Sequence, residues 1–481
     1  MASRLRHIGD VAVDPRDARI AELEALVTAL LARDAEREAV VARLEKRVAE
    51  LEEKLGMSSR NSSKPPSSDP PTVTPKSKPP TGRKPGVQPG HKGHRRAMFP
   101  PERVTEVVEC KPTRCAGCDA KLRGTDPEPE VHQVAELPKI EPLVTEYRLH
   151  ALSCRCCGRS TRGHLPEGTP RGAFGPRVVA MITELVGVYG VSRRDAQDML
   201  RDMFSLPMSL GAVIGCQKLG ASALAPAHAE ALAEVPRAKV RYADETGWRV
   251  GNLYACLWVV VTPTVTVFRI QAERSRVAAM AILGKVAGLL GSDRYSVYDF
   301  WAAHRHQFCW AHLSRLFVKF SERTDPTAKA AGLALGKEKD AMFEAWQRVR
   351  DGTLKRESFT RKMLPIQRRV AALLDDGTRS ACARTRRTCE RLLQNTHSLW
   401  TFVYNDGIEP TNNIAERAIR RPVIVRKTSF GSHSEHGCRF QERVWTVHAT
   451  LRQADRCVHD FITQACSAYM LGGLSPSLLR A

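Results

Sequence analysis

At 481 residues, with 42% apolar side chains and a formal charge of +22, the chain is long enough for several domains and basic enough to need a polyanionic partner. Nucleic acid is the first candidate; a membrane span is excluded, because the longest apolar run, Leu253 to Val261, is far short of the ~20 residues required. No signal-like segment opens the chain, so it is expected in the cytoplasm, where its 14 cysteines stay thiols or bind metal rather than form disulfides.

Residues 18–55 carry a heptad repeat. Ile20, Leu23, Val27, Leu30, Val41, Leu44, Val48, Leu51 and Leu55 fall on alternating three- and four-residue steps, interrupted by Asp34 and Arg37. A narrow apolar seam of this kind needs another helix to cover it. A single amphipathic helix packed on its own protein would show a related stripe, but the sustained repeat favours a coiled coil through which the chain self-associates. Gly56 ends that helix. Residues 56–98 then run through Ser, Pro, Lys and Gly, a composition that cannot bury enough surface to offset chain entropy. This basic Pro/Ser-rich linker reads either as a tether or as a source of sequence-independent phosphate contacts.

Residues 99–165 hold Cys115-Ala116-Gly117-Cys118 and Cys154-Arg155-Cys156-Cys157. In each, two thiolates of one turn can grip a single tetrahedral Zn²⁺. Cys115, Cys118, Cys154 and Cys157 are assigned as ligands of a structural zinc, with Cys156 spare and Cys110 a weaker outsider. Strand-like pieces are expected at Val131–Val134 and Leu143–Leu149. Residues 174–235 are helical, broken at Tyr189-Gly190-Val191-Ser192 and at Ser205 to Ser209. Such helices could read DNA or pack as a bundle on a core; Arg193, Arg194 and Lys218 are too few for a recognition face, which favours the bundle.

A strand-like run from Lys239 ends at Asp244. Leu253–Thr262 and Val265–Ile270 read as antiparallel strands joined at Pro263, Arg276–Ala287 as a helix, and Leu289-Leu290 as a strand leading to Asp293. Gln307-Phe308-Cys309 is a fifth strand and Trp310–Phe320 a helix. His304, His306, Cys309 and His312 have permissive metal spacing, but a strand-to-helix turn would scatter them, and a packed, hydrogen-bonded set fits better. His312 and Arg315 could instead face phosphates. Residues 321–400 form a charged helical insertion that covers the site, holds DNA, or is simply a solvated bundle. Pro410 and Thr411 open a helix whose N-terminal amides favour the nearby Glu416, with Glu409 a competing acid. Arg417, Arg420, Arg421, Arg426 and Lys427 then make a basic cluster suited to phosphate. Residues 431–481 read as a C-terminal helical cap.

Two aspartates at strand ends and a glutamate on a helix can hold two divalent cations about 3.5–4 Å apart, as phosphodiester chemistry uses. Oxygen ligands with retained waters suit Mg²⁺ or Mn²⁺ better than zinc. The wording Asp244-Glu245-Thr246, Ser292-Asp293-Arg294-Tyr295, Cys309-Trp310-Ala311-His312 and Glu409-Pro410-Thr411-Asn412-Asn413 to Glu416-Arg417 resembles the DDE transposases of the insertion sequence 66 family. The N-terminal Asn61-Ser62-Ser63-Lys64-Pro65-Pro66 belongs to the same pattern, so the resemblance covers nearly the whole chain.

That resemblance implies an α/β chain. A ribonuclease H-like mixed sheet over 236–430, with a helical insertion at 321–400, would follow a helical region, a zinc-binding module and an N-terminal coiled coil. It implies Asp244 on the central strand, Asp293 at the end of its neighbour, and Glu416 rather than Glu409 as third acid. The implied activity is transposition: the protein binds the terminal inverted repeats, pairs the element ends in a homo-oligomer, hydrolyses the 3′ ends and joins them to target DNA. Accessory proteins of the element commonly accompany this family. Two other readings stay open: a ribonuclease H-like nuclease or resolvase that cuts without joining, and a catalytically silent, zinc-containing DNA-binding regulator derived from a transposase.

Overall fold

The computed structural model of the protein describes residues 15–55, 57, 58, 61, 97–170, 172–284 and 286–479. The linker expected over 56–98 therefore lies outside the described residues except at 57, 58, 61, 97 and 98. In chain order the first half comprises α1 (Pro15–Leu55), β1 (Ala151–Ser153), β2 (Ser160–Arg162), α2 (Pro176–Gly187), α3 (Arg193–Phe204), α4 (Leu210–Ala223) and α5 (Ala225–Glu234). Next come β3 (Val240–Val250), β4 (Leu253–Val261), β5 (Thr266–Gln271), α6 (Arg276–Leu283), β6 (Leu289–Ser292), β7 (His306–Phe308) and α7 (Trp310–Ser321). The remainder is helical: α8 (Pro326–Arg350), α9 (Arg356–Thr378), α10 (Ala383–Gln394), α11 (Thr396–Tyr404), α12 (Asn413–Ser429), α13 (Glu435–Gln453) and α14 (Val458–Leu471). The architecture is mixed α/β, as expected.

The described residues divide into two compact units. One is drawn from Met1–Thr74 and Leu289–Asn413, the other from Pro75–Gly288 and Ile414–Ala481.

The second unit is built on the antiparallel meander β3–β4–β5. The expected strand end at Asp244 is wrong: β3 continues six residues further. It pairs with β4 from Tyr242 opposite Val261 to Val250 opposite Leu253, and the two-residue Gly251-Asn252 turn uses φ +58° at Gly251. Trp248, past the expected end, is buried edge-on against Trp445 at 5.5 Å between centroids. Arg241, fully buried at the start of β3, donates to the carbonyls of Val235, Pro236 and Ala287 and so fixes where the strand begins.

The outer edge of β5 is closed by α13. The N–H groups of Thr266, Phe268 and Ile270 donate to the side chains of Thr450 (3.1 Å), Thr446 (3.0 Å) and Glu442 (2.6 Å). Four helical residues rise about 6 Å and two strand residues about 6.7 Å, so a stripe at four-residue spacing can meet every outward N–H. Glu442 is buried and also paired with Arg439 at 2.8 Å.

Helices α2 and α4 pack with α13 and α14, so the segment expected over 174–235 and the C-terminal one share a core. The C-terminal stretch is helical, as two helices broken by Ala454–Cys457. Close approach requires glycine at Gly187, where a Cβ would meet Val444 at 2.8 Å, and at Gly220 against Thr183. Ser192 and Ser209 cap α3 and α4 by accepting from the N–H groups of Asp195 and Ala212.

In the first unit β6 and β7 pair in parallel, Leu290 opposite His306 and Ser292 opposite Phe308. Helix α11 covers β7, and α7 to α10 pack in sequence. The aromatic centre holds Trp310 against Trp400 (5.0 Å) and Trp346 against Phe402 (5.3 Å). Helix α1 belongs to this unit, yet each of its described side chains is exposed. Asn61 donates to Glu322 at 2.8 Å.

Candidate active site

Asp244 occupies the middle of β3, half-buried, opposite Val259. Strand alternation puts its side chain on the face of Tyr242, Thr246 and Trp248, and the buried Glu245 on the other. Glu245 is engaged there with Arg274 at 2.5 Å. The Asp244 face is the one met by α12 and the chain after it. Arg426 donates to Thr246 Oγ1 at 3.0 Å and to the Gly247 carbonyl, and Trp248 Nε1 donates to Ser432 Oγ at 3.3 Å. Ser432 continues the contact through backbone bonds with Arg249 and Gly251. Glu416, half-buried, lies in the first turn of α12, which opens at Asn413 rather than at Pro410. Pro422 lies inside the same helix six residues later.

In the other unit, Asp293 follows β6 and accepts the N–H of Tyr295 through Oδ1 at 2.9 Å. Its neighbour Ser292 contacts His306 Nε2 through Oγ at 2.7 Å. Burial, with Arg391 nearby, pushes His306 down to about 3, so this imidazole is neutral. The motifs around Asp293 are stitched by bonds from backbone N–H groups: Cys309 N–H to Ser292 O at 2.9 Å, Trp310 N–H to Pro410 O at 2.9 Å, and Asn412 N–H to the Cys309 side-chain Sγ at 3.2 Å. The buried Arg294 guanidinium is close enough to feel Asp293, its own pKa lowered by burial. Of the histidine and cysteine set, His306 is buried and His304 exposed, but the turn does not scatter the other two: ligand atoms of Cys309 and His312 lie within 4.8 Å of each other. Glu409 is exposed and accepts from Trp346 Nε1 at 3.1 Å.

The basic cluster separates into two groups. Arg426 is half-buried on β3, its pKa lowered by burial, and Arg421 donates to the Val188 carbonyl at 3.0 Å while lying over Tyr189. Arg417, Arg420 and Lys427 are exposed. At 3.6 residues per turn, Glu416, Arg420 and Lys427 project within about 40° of one another. A further basic cleft of about 240 Å³ lies between α7 and α10, lined by Lys319, Arg323, Arg384 and Arg387. The reading of the sequence missed it; its signal was the run Arg384-Thr385-Arg386-Arg387.

Each cysteine pair occupies the turn of a small hairpin. The Arg114–Lys121 bridge brackets Cys115 and Cys118, and β1–β2 bracket Cys154 and Cys157. The N–H groups of Gly117 and Cys118 lower the Cys115 thiol pKa, and those of Cys157 and Cys156 lower that of Cys154. Each turn thus fits half of a zinc site. Among the described residues, no three of these sulfurs all lie within 4.8 Å of one another. The strands expected at 131–134 and 143–149 did not form.

Residues 171–439 match the family described as "Transposase IS66 family", and residues 12–97 match a family of unknown function, DUF6444. The "Uncharacterized protein y4qI" of Sinorhizobium fredii (strain NBRC 101917 / NGR234) is 28% identical over 391 residues, 73% of this chain and 69% of its own. The "Uncharacterized protein y4hP" of the same strain is 23% identical over 396 residues, 74% and 70% of the two chains. Among the described residues, no helix is long and apolar enough to cross a membrane.

Proposed function

The chain belongs to the IS66 family of transposases, and we propose that it cuts the 3′ ends of its element and joins them to target DNA, using Asp244, Asp293 and Glu416 as the acidic triad. The observation that carries this reading is the shared face of β3: Asp244 projects toward the side to which α12, the helix of Glu416, is pinned through Arg426. The stitching of Ser292, Cys309, Pro410 and Asn412 supports Asp293 as the third member, since Glu416 follows Asn412 by four residues.

Three partly accessible carboxylates are a hard oxygen donor set, which fits Mg²⁺ or Mn²⁺. Two such ions, when bound, supply stabilisation of charge on the attacking and leaving oxygens. The protein's own groups position the DNA. Arg417, Arg420 and Lys427 are exposed, so they are the ones assigned to backbone phosphates. In the first step water attacks phosphorus and the 3′ oxygen leaves; in the second that 3′ hydroxyl attacks a target phosphorus, forming a new P–O bond as the target strand's own P–O3′ bond breaks and its 3′ oxygen leaves, taking up a proton. Neither step needs a nucleophile from the protein.

Cys115, Cys118, Cys154 and Cys157 are assigned to a structural zinc, tested by one zinc ion per purified chain and its loss in Cys118→Ser. Helix α1 is assigned to self-association, and terminal inverted repeats, target DNA and accessory proteins of the element are the partners. Asp244→Asn should abolish strand cleavage while element ends still bind; undiminished nicking by that variant removes Asp244 from the triad. Pre-cleaved ends supplied with target DNA in Mg²⁺ should give joined products. Cutting without joining would mean a nuclease or resolvase, and neither reaction would mean a silent regulator.

A further inference from the structure

Helix α1 presents a seam that stays exposed among the described residues. The eight apolar seam residues from Ile20 to Leu51 are each 44–56% exposed, an unusual display for a helix of 41 residues. We propose that α1 pairs with the same helix of a second copy as a parallel, in-register, two-stranded coiled coil. This rests on the self-association assigned above and adds its number, direction and register.

The number comes from side-chain shape. With Ile20 at position a, the a sites are β-branched at Ile20, Val27, Val41 and Val48. The d sites are leucine at Leu23, Leu30, Leu44 and Leu51. β-Branched a with leucine d is the combination that selects two parallel strands over three or four.

The direction comes from charge. In a parallel pair each g residue faces the e residue five positions on in the other helix. Here Arg19 meets Glu24 of the second copy, Arg33 meets Glu38, and Arg47 meets Glu52, while Leu26 meets Leu31. Each contact occurs twice by symmetry; the fifth pair, Val40 with Glu45, is the one mismatch, and none sets like charges together. An antiparallel pair centred between Asp34 and Arg37 would match those two charges across the seam. It would also set Glu24 beside Glu45 of the second copy and Leu26 beside Arg47. Two matched pairs at the centre do not offset like charges and buried mismatches along the flanks. In the parallel pair Asp34 faces Asp34 and Arg37 faces Arg37 of the second copy, a like-charge cost eased because the two layers are adjacent and opposite in sign, with the side chains 3.8 Å apart within one helix. These polar layers weaken the middle and fix the register, because a one-heptad slip would place both charges against apolar layers.

The test uses the full-length chain with a nitroxide at Ala21, attached through a non-cysteine handle because 14 native cysteines are present. Pulsed EPR should give a label separation below about 30 Å, set by two helices about 10 Å apart. An antiparallel pair puts Ala21 opposite residue 50 and separates the labels by about 44 Å along the axis. Two charge-reversed chains complete the experiment: Arg19→Glu/Arg33→Glu/Arg47→Glu and Glu24→Arg/Glu38→Arg/Glu52→Arg. Each alone should lose α1 pairing by on the order of a hundred-fold, and mixing the two should restore both pairing and the short separation. The proposal is overturned by a long separation, by a trimer or larger stoichiometry, by an α1 that stays on its own chain, or by reversed chains that pair like wild type. No readout involves DNA, so the transposase reading stands or falls separately.

Discussion

Arg426 and Arg420 look alike in the sequence and do different work in the fold. The first donates to Thr246 and to the Gly247 carbonyl; the second reaches solvent. Arg426→Ala should therefore lower unfolding free energy by about 1–3 kcal/mol, because it strands a half-buried carbonyl. Arg420→Ala should leave stability within about 0.5 kcal/mol while reducing the salt slope of DNA binding by about one unit. Denaturant titration and salt-dependent binding measure the two effects. His306 gives a second residue-level prediction. Its folded pKa, about 3, is below its unfolded value, so the unfolded chain takes up the proton first as pH falls. The stability this residue contributes is complete above about pH 6.5 and is lost progressively toward pH 3, about 2 kcal/mol of it by pH 5. His448, pushed down to about 4, acts in the same sense. Denaturation at pH 7.5 and 5 should show a smaller loss for His306→Asn than for wild type.

At the scale of elements, the α13 stripe is the feature most open to test. Thr446→Val keeps shape and removes the acceptor for the Phe268 N–H, so it should cost about 1–3 kcal/mol by denaturation. A neutral result would mean that the edge bond contributes nothing. The same stripe explains part of what the sequence concealed. Glu442, Thr446 and Thr450 read as one polar face of an amphipathic helix, and spacing alone does not say that this face meets strand N–H groups rather than water. The strand continuing past Asp244 was hidden for a related reason. Glu245-Thr246-Gly247 carries little strand propensity, and it is β4 pairing and Trp248 packing that hold it extended. By contrast, the breaks before α3 and α4 were legible, because Ser192 and Ser209 cap by local chemistry. The candidate carboxylates were legible through motif wording, while the division of the basic cluster depended on Val188 and Gly247, remote in the chain.

For the molecule as a whole, the second unit is made of chain segments separated by residues 289–413. The family match ends at residue 439, yet α14 packs on α2 and α4, and Arg443 donates to the Ala221 carbonyl at 2.8 Å. Removing everything after Ser434 should thus yield insoluble protein rather than a trimmed enzyme, as a solubility and circular dichroism comparison with the full chain would show. A folded, soluble truncation would refute the shared core.

The closing of β5 by α13 also sets a timetable. A ribosome working at about 5–20 residues per second needs about 7–30 s to travel from Gly288 to the start of α13. Throughout that interval the outer N–H groups of β5 await their acceptors, and a neighbouring nascent chain can recruit them first. Yield in the cell should therefore depend on translation speed and chaperone supply more than the stability of the finished protein suggests.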